Sequence, residues 1–453
     1  MAKLFGTDGV RGVANQYPMT ADFALALGKA CGQFICTNKK KVAIAKDTRI
    51  SCDMLENALT AGLNSQGVNV LKLGILPTPA LTTLAESFDA DMVIMITASH
   101  NPYTDNGIKL LDAHGDRFDD SVIETIEKLV EKNEFATDIN AIGKAESIEN
   151  AALAYMEHAA KVLNGRKLSG LRVVLDCANG AFSNILPEVF MKLGAGVIVI
   201  GNTPDGHNIN KDCGSQHTEK LSQTVKESHA QLGIAVDGDG DRIIVVDELG
   251  NRLDGDQIIA FLAQTLQTDG RLQNNCAVAT ILSNIGLDKY LQTLEIKTYR
   301  SAVGEKNVIL KMRETGANLG GEESGHMVLS DYARTGDGMV TALTIADGLL
   351  KSGKKMSELF PVFKPYPCSE IDTYFESKVE LLQAQSDESV LAEADIVRQE
   401  LGDEGNVIVR KSGTEPLIKV KIMGLDYDHI SALNKRIRAH FDKYKIKEIK
   451  IKK

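Results

Sequence analysis

Asp91–Leu110 reads DMVIMITASHNPYTDNGIKL, and Leu232–Val246 reads LGIAVDGDGDRIIVV. In the first stretch an apolar run stops at a polar, turn-rich loop that holds Ser99. In the second, a similar run stops at Asp237, Asp239 and Asp241, separated only by glycines. Apolar runs that do not alternate predict strands buried on both faces of a mainly parallel sheet. Loops at the ends of such strands are where open α/β sheets place their chemistry. A serine nucleophile in one loop and a divalent-cation cage in the other point to phosphoryl transfer.

Working outward, the chain divides into three similar α/β domains with mainly parallel mixed sheets. A smaller C-terminal α+β domain follows, and the four surround a central cleft. In the first unit, KKVAIA, VNVLKLG and DMVIMIT predict strands, with helices over 53–65 and 80–87. The segment FALALGKACGQFI, broken by Gly28, Lys29 and Gly32, predicts a core helix. The second unit runs from LRVVLD through a helix over 182–193 to GVIVIG and LGIAVD. The third runs from CAVATIL through helices over 286–294 and 307–314 to ANLGG. These units end at ASHNP, DGDGDR and GEESGH, a repeat of architecture and not of sequence. In the remainder, the loop RKSGTEP joins NVIV to LIKVKIMG. The expected domains are 1–150, 151–255, 256–364 and 365–453, carrying in turn the serine, metal, sugar and phosphate loops.

At 453 residues, with 43% hydrophobic and 25% charged residues, the chain has an ordinary soluble composition. A net charge of −10 argues against nucleic-acid or anionic-membrane partners. No stretch approaches a membrane span, and MAKLFGTDGVRGV lacks the apolar core of a signal peptide. Seven scattered cysteines without CxxC spacing suit reduced thiols, so a cytoplasmic protein is expected.

Alternate aspartates with Gly238 and Gly240 between them let the backbone coil, so that three carboxylates converge on one hard cation. An EF-hand reading fails, because Arg242 stands where its turn glycine belongs and Ile243–Val246 reads as a strand. Ser99, at the end of an interior strand, faces a cleft; His100 and Lys109 are near enough to supply a proton acceptor or a charge. Asn106-Gly107 is a turn signal that would fold Lys109 back toward the serine. In GEESGH, Glu322, Ser324 and His326 offer groups that grip sugar hydroxyls through paired hydrogen bonds. Arg410, Ser412, Gly413 and Thr414 combine a guanidinium, hydroxyls and loop amides into a phosphate cradle. It lacks the spacing of a nucleotide P-loop. Taken singly, the last two loops have plain alternatives as solvated turns; together the four loops read as one site.

In this order, FGTDGVRG, TASHNPYTDNGIK, DGDGDR, GEESGH and RKSGTEP closely resemble the α-D-phosphohexomutase superfamily over essentially the whole chain. PDGHNINKDCGS and GGEESGHMVLSDYARTGDG direct the resemblance to its glucosamine branch. The resemblance implies that Ser99 is a phosphoserine whose phosphate, with Asp237, Asp239 and Asp241, ligates one magnesium ion per subunit. Glu322 and Ser324 would hold the sugar in either orientation, and Arg410, Ser412, Gly413 and Thr414 the phosphate that is not reacting. Arg11, His100, Lys109 and His326 would line the cleft, with the base left open among them. The implied substrate is a small phosphosugar, with a sugar bisphosphate as intermediate and activator, and the implied assembly a monomer or homodimer. Cys52 stands where glycine is common, Lys419 where arginine is, and Thr97 where the glucosamine branch often has serine. Two rival activities remain at this level: the same chemistry on mannose or glucose phosphates, and hydrolysis through a phosphoserine.

Overall fold

The computed structural model describes residues 4–6, 9–35, 40–135, 138–360, 362–412 and 416–452. Four sheets follow one another along the chain. The first has six strands in the spatial order Val10–Val13, Asp105–Asp112, Met92–Ile96, Lys41–Lys46, Asn69–Ile75 and Ala145–Ser147. Lys41–Lys46 lies parallel to Asn69–Ile75 and to Met92–Ile96, while Asp105–Asp112 returns antiparallel to Met92–Ile96. The second sheet repeats this plan: Arg172–Asp176 is parallel to Gly196–Ile200 and Leu232–Val236, and Ile243–Asp247 returns antiparallel. So does the third, with Cys276–Thr280 parallel to Lys297–Ser301 and Leu319–Gly321, and Met327–Leu329 antiparallel. In all three domains the loop therefore closes an antiparallel hairpin at the side of a run of parallel strands, four in the first sheet and three in the second and third.

This topology corrects one expectation. Asn106 and Gly107 form no turn; both lie inside the strand Asp105–Asp112. The buried Asn106 side chain donates to Ser51 Oγ at 2.8 Å and to Cys52 Sγ at 3.4 Å. A Cβ on Gly107 would meet Thr97 O at 2.6 Å, so backbone contact, not turn geometry, explains the glycine. The helix expected over 80–87 is Thr78–Leu84 followed by a tighter 3₁₀ turn, and that expected over 182–193 is Ile185–Lys192.

The helix Ala21–Phe34 is capped by Thr20, whose side chain accepts from Phe23 N at 3.2 Å. Its glycines serve packing. A Cβ on Gly28 would strike Leu59 O, and one on Gly62 would strike Leu25 O, so this helix and Cys52–Ser65 touch backbone to backbone.

One apolar cluster runs through the first three domains, from Ala43 to Phe360. The C-terminal domain is an antiparallel sheet of Asn406–Lys411, Leu417–Met423, Cys368–Phe375 and Ile446–Lys452, with its own core around Phe375, Val420 and Phe441. The link to it is held at Tyr366, whose N–H and C=O both bond the Asn284 amide, at 2.9 and 3.0 Å. Asn284 is fixed in turn by Asp256 Oδ2, which accepts from its N–H at 2.6 Å. Among the described residues, no helix is long and apolar enough to cross a membrane.

Candidate active site

Ser99 ends the buried run of Met92–Ile96 and adopts φ 51°, a left-handed conformation that few non-glycine residues take. Its N–H donates to Thr97 Oγ1 at 2.9 Å, and Thr97 Oγ1 donates to Asp47 Oδ2 at 2.7 Å. Asp47 also accepts from Arg49 Nε at 2.9 Å and from Cys52 Sγ at 3.2 Å. The thiol at the position where glycine was expected is thus a hydrogen-bonding member of the support. Arg49, fully shielded, folds the serine loop by donating to the carbonyls of Ser99, Asn101, Pro102 and Asp105. Sequence reading assigned no role to Asp47 and Arg49; an Asp-x-Arg at the end of a buried strand was the available signal.

Oriented in this way, Ser99 Oγ donates to Asp237 Oδ2 at 2.8 Å and stands 3.3 Å from His100 Nδ1. The hydroxyl and the acidic loop come from different domains, and Ser99, Asp237 and Asp239 are each 1% exposed or less. One carboxylate oxygen from each of Asp237, Asp239 and Asp241 lies within 4.8 Å of the others. Lys109 Nζ lies 3.0 Å from Asp239 Oδ2 and 3.7 Å from Asp241 Oδ2. It therefore serves the acidic loop directly. Thr78 Oγ1 donates to Asp239 Oδ2 at 2.7 Å.

Three buried carboxylates repel one another and lose hydration. Burial, joined by the charges of Asp241 and Asp239, pushes Asp237 well above the usual carboxylate range. Burial, followed by Asp239, also raises Asp241. At Asp239 burial is outweighed by the Lys109 ammonium and the Thr78 hydroxyl, with Arg11 assisting, and its carboxyl is held low. Asp239 Oδ1 and Asp241 Oδ1 are buried without a hydrogen-bond partner. All-oxygen donors, three crowded carboxylates and orphaned lone pairs fit a hard divalent cation.

Backbone bonds join the acidic loop and the strand after it to the Glu322–His326 loop. Ile243 N donates to Gly325 O at 3.0 Å, Gly255 N donates to Glu323 O at 3.1 Å, and Arg242 bridges His326. This pairing turns His326 toward the acidic loop. Its Nε2 is 4.0 Å from Asp241 Oδ2 and 3.7 Å from Glu305 Oε2. Glu322 Oε1 accepts from Gly304 N at 2.9 Å, and with Ser324, Asp254, Arg252 and Thr280 it lines an open pocket of about 350 Å³. Arg410 lies in the strand Asn406–Lys411 of the fourth sheet, with its Nε buried without a hydrogen-bond partner, and Ser412 follows that strand, its N–H donating to Leu417 O at 2.9 Å. Gly413 and Thr414 lie outside the described residues. From the same sheet, Lys421 Nζ reaches Glu323 Oε2 at 3.0 Å and Leu282 O at 3.2 Å. Lys419, in the place where arginine was expected, pairs with Glu370 at 3.2 Å and Asp372 at 3.3 Å inside its own sheet.

Phosphoglucomutase/phosphomannomutase α/β/α domains I, II and III match residues 2–137, 153–250 and 254–366, and the C-terminal domain of that family matches 376–440. Over 424 residues the chain is 45% identical to a phosphoglucosamine mutase of Ruegeria sp. (strain TM1040), covering 93% of this chain and 94% of that protein. It is equally similar to one from Caldicellulosiruptor bescii, 45% identical over 437 residues, 95% of this chain and 96% of the relative. The chain belongs to the phosphohexomutase family. A crystal structure of a phosphoglucomutase/phosphomannomutase family protein from Burkholderia thailandensis shares the fold, with a TM-score of 0.82 at 24% identity over 98% of this chain and 99% of that one. In this phosphohexomutase the Ser99, Asp237–Asp241 and Glu322–His326 loops are thus the three hairpin loops of domains I to III, joined by hydrogen bonds across domain boundaries.

Proposed function

We propose that this isomerase interconverts glucosamine 6-phosphate and glucosamine 1-phosphate, with phosphorylated Ser99 as donor and acceptor of the phosphoryl group. The observation that carries the reading is Ser99 itself. It is held in a strained conformation with its hydroxyl 2.8 Å from a buried triad of aspartates, in a chain 45% identical to phosphoglucosamine mutases over nearly its full length.

The free hydroxyl of the bound sugar attacks the phosphorus on Ser99; the P–Oγ bond breaks and a bisphosphosugar forms. That intermediate turns around in the cleft, and its other phosphate returns to Ser99. His100, 3.3 Å from Ser99 Oγ, is within reach for the hydroxyl proton. Magnesium held by Asp237, Asp239, Asp241 and the Ser99 oxygen would supply charge neutralisation on the transferring group. Lys109 and Arg11 add positive charge beside the acidic loop. Glu322 and Ser324 hold the sugar in both poses, while Arg410 and Ser412, with Gly413 and Thr414, hold the phosphate that is not reacting. Holding both ends converts two transfers into intramolecular steps. We place the enzyme in the cytoplasm, with a sugar bisphosphate as its intermediate and activator.

Turnover is measured with magnesium and a trace of the matching bisphosphate, comparing glucosamine, glucose and mannose phosphates. The highest kcat/KM is expected for glucosamine phosphate, with activity abolished by EDTA and restored by magnesium. A preference for glucose or mannose phosphate overturns the substrate, and phosphate release without isomerised sugar overturns the reaction.

A further inference from the structure

Residues 204–215, PDGHNINKDCGS, belong to the second domain and fold against the serine loop of the first. Ile50 N donates to Gly206 O at 3.0 Å, and the Tyr103 and His207 rings meet edge-on at 5.1 Å. At the centre is Asn210. Its backbone is left-handed at φ 59°, ordinary for asparagine, and its N–H donates to Ala178 O at 2.9 Å. A turn role does not account for its side chain. Asn210 Nδ2 crosses the domain boundary and donates to Ser99 O at 2.9 Å and Asn101 O at 3.0 Å.

Arg49 Nη2 donates to the same two carbonyls, each at 2.9 Å. Both lone pairs of each carbonyl are therefore engaged, one by the first domain and one by the second. The direction of a residue's carbonyl follows its backbone torsions, so this double grip opposes relaxation of Ser99 from φ 51°. The metal loop meets the same point. A Cβ on Gly238 would lie 2.7 Å from Ser99 O and 2.8 Å from Asn210 Nδ2.

We propose that Asn210 is a positioning residue that locks the serine loop from the neighbouring domain and so keeps Ser99 Oγ aimed at the metal triad. This rests on the reading of Ser99 as the phosphoryl carrier. Asn210 acts only through the Ser99 and Asn101 carbonyls.

Two variants separate the amide from the backbone. Asn210→Gly retains the left-handed conformation and deletes the donor. Asn210→Asp retains the shape but presents a carboxylate to two carbonyls. Both are expected to lower kcat roughly 10- to 100-fold, the scale of a 1 Å misplacement, with KM changed far less and magnesium affinity retained. In both, amide hydrogen exchange is expected to accelerate at Asn101 and Asp105, whose N–H groups close the serine loop onto Ala98 O and Pro102 O. Wild-type kcat with unchanged exchange in Asn210→Gly overturns the inference. So does a fall in melting temperature with no separation of kcat from KM. If the wild type fails to isomerise glucosamine phosphate, the proposed activity falls, and exchange alone decides the clamp: local acceleration supports it and no change overturns it.

Discussion

Ser99 is held at φ 51° by a stack of hydrogen bonds rather than by its own preference, and for an L-residue that conformation costs about 1–2 kcal/mol. Two substitutions read the strain and the chemistry separately. Ser99→Ala and Ser99→Gly both remove the hydroxyl proposed to carry the phosphoryl group, and each is expected to lose turnover by roughly a thousandfold or more while remaining folded. Only glycine relieves the strain, so Ser99→Gly should be more stable than Ser99→Ala by about 1 kcal/mol in urea unfolding. Asp256 is the second residue with a legible signature. Burial, opposed by the Asn284 N–H and reinforced by Asp254, pushes its carboxyl up to about 7. The folded state therefore binds this proton more tightly than the unfolded chain does. Asp256's contribution is most favourable below the ordinary carboxylate range, declines as pH rises toward 7, and is fully lost above it. Asp256→Asn carries no such charge. Its stability relative to wild type should grow between about pH 4 and pH 7, by up to the order of 4 kcal/mol, and stay level above that. Thermal unfolding across that range checks it; a difference that shrinks with pH would contradict the assignment.

The functional element is a hairpin loop appended to a run of parallel strands, used three times. Its parallel strands are buried, so the chain can leave the sheet only at strand ends, and the antiparallel return strand fixes where each loop points. Asp105–Asp112 returns from the serine loop in register with Met92–Ile96, which brings Lys109 opposite Met95. Lys109 reaches the acidic loop of the next domain. The close approach of two such loops demands glycine at Gly238. Gly238→Ala would set a methyl against Ser99 O, Asn210 Nδ2 and Ile209 Cδ1, all within 2.8 Å. It is expected to destabilise by about 1–3 kcal/mol and to lower kcat even where folding is retained, as measured by unfolding and turnover on one preparation.

The molecule as a whole has two levels of cohesion. Domains I to III share a continuous apolar core, whereas the C-terminal domain packs around its own. It joins the others through the Asn284 grip on Tyr366 and through polar contacts such as Lys421 with Glu323 and Lys289 with Glu404 at 3.3 Å. Polar interfaces of this kind permit relative domain motion. Lys421→Ala should therefore open the cleft. Small-angle scattering is expected to give a larger radius of gyration, and kinetics a raised KM with a higher demand for added sugar bisphosphate, because the intermediate escapes more often. Lys421→Arg should restore much of both. An unchanged radius and bisphosphate demand would show that the contact does not hold the domain.

Much of this was legible in the residues. Strands buried on both faces announce themselves as unbroken apolar runs, and the acids and hydroxyl that interrupt them mark the loops, because a buried polar group without a task is too unfavourable to keep. Ser99, the three aspartates, Glu322 and the order of four domains follow from that local pattern together with the family resemblance. What no local pattern encodes is which loop faces which. Asn106-Gly107 reads as a turn yet lies in a strand, because backbone contact with Thr97 outweighs turn propensity. Lys109, expected to fold back toward the serine through a turn, comes instead from a strand and pairs with Asp239, and His326 lies beside Asp241. Asp47, Arg49 and Asn210, which hold the serine loop, are polar residues whose partners in that loop are 50 to 111 positions away. Composition and periodicity determine what each segment buries and where it must end. Only the tertiary structure decides which buried donors meet which carbonyls, because that depends on how whole sheets pack, and packing is settled by contacts remote in sequence.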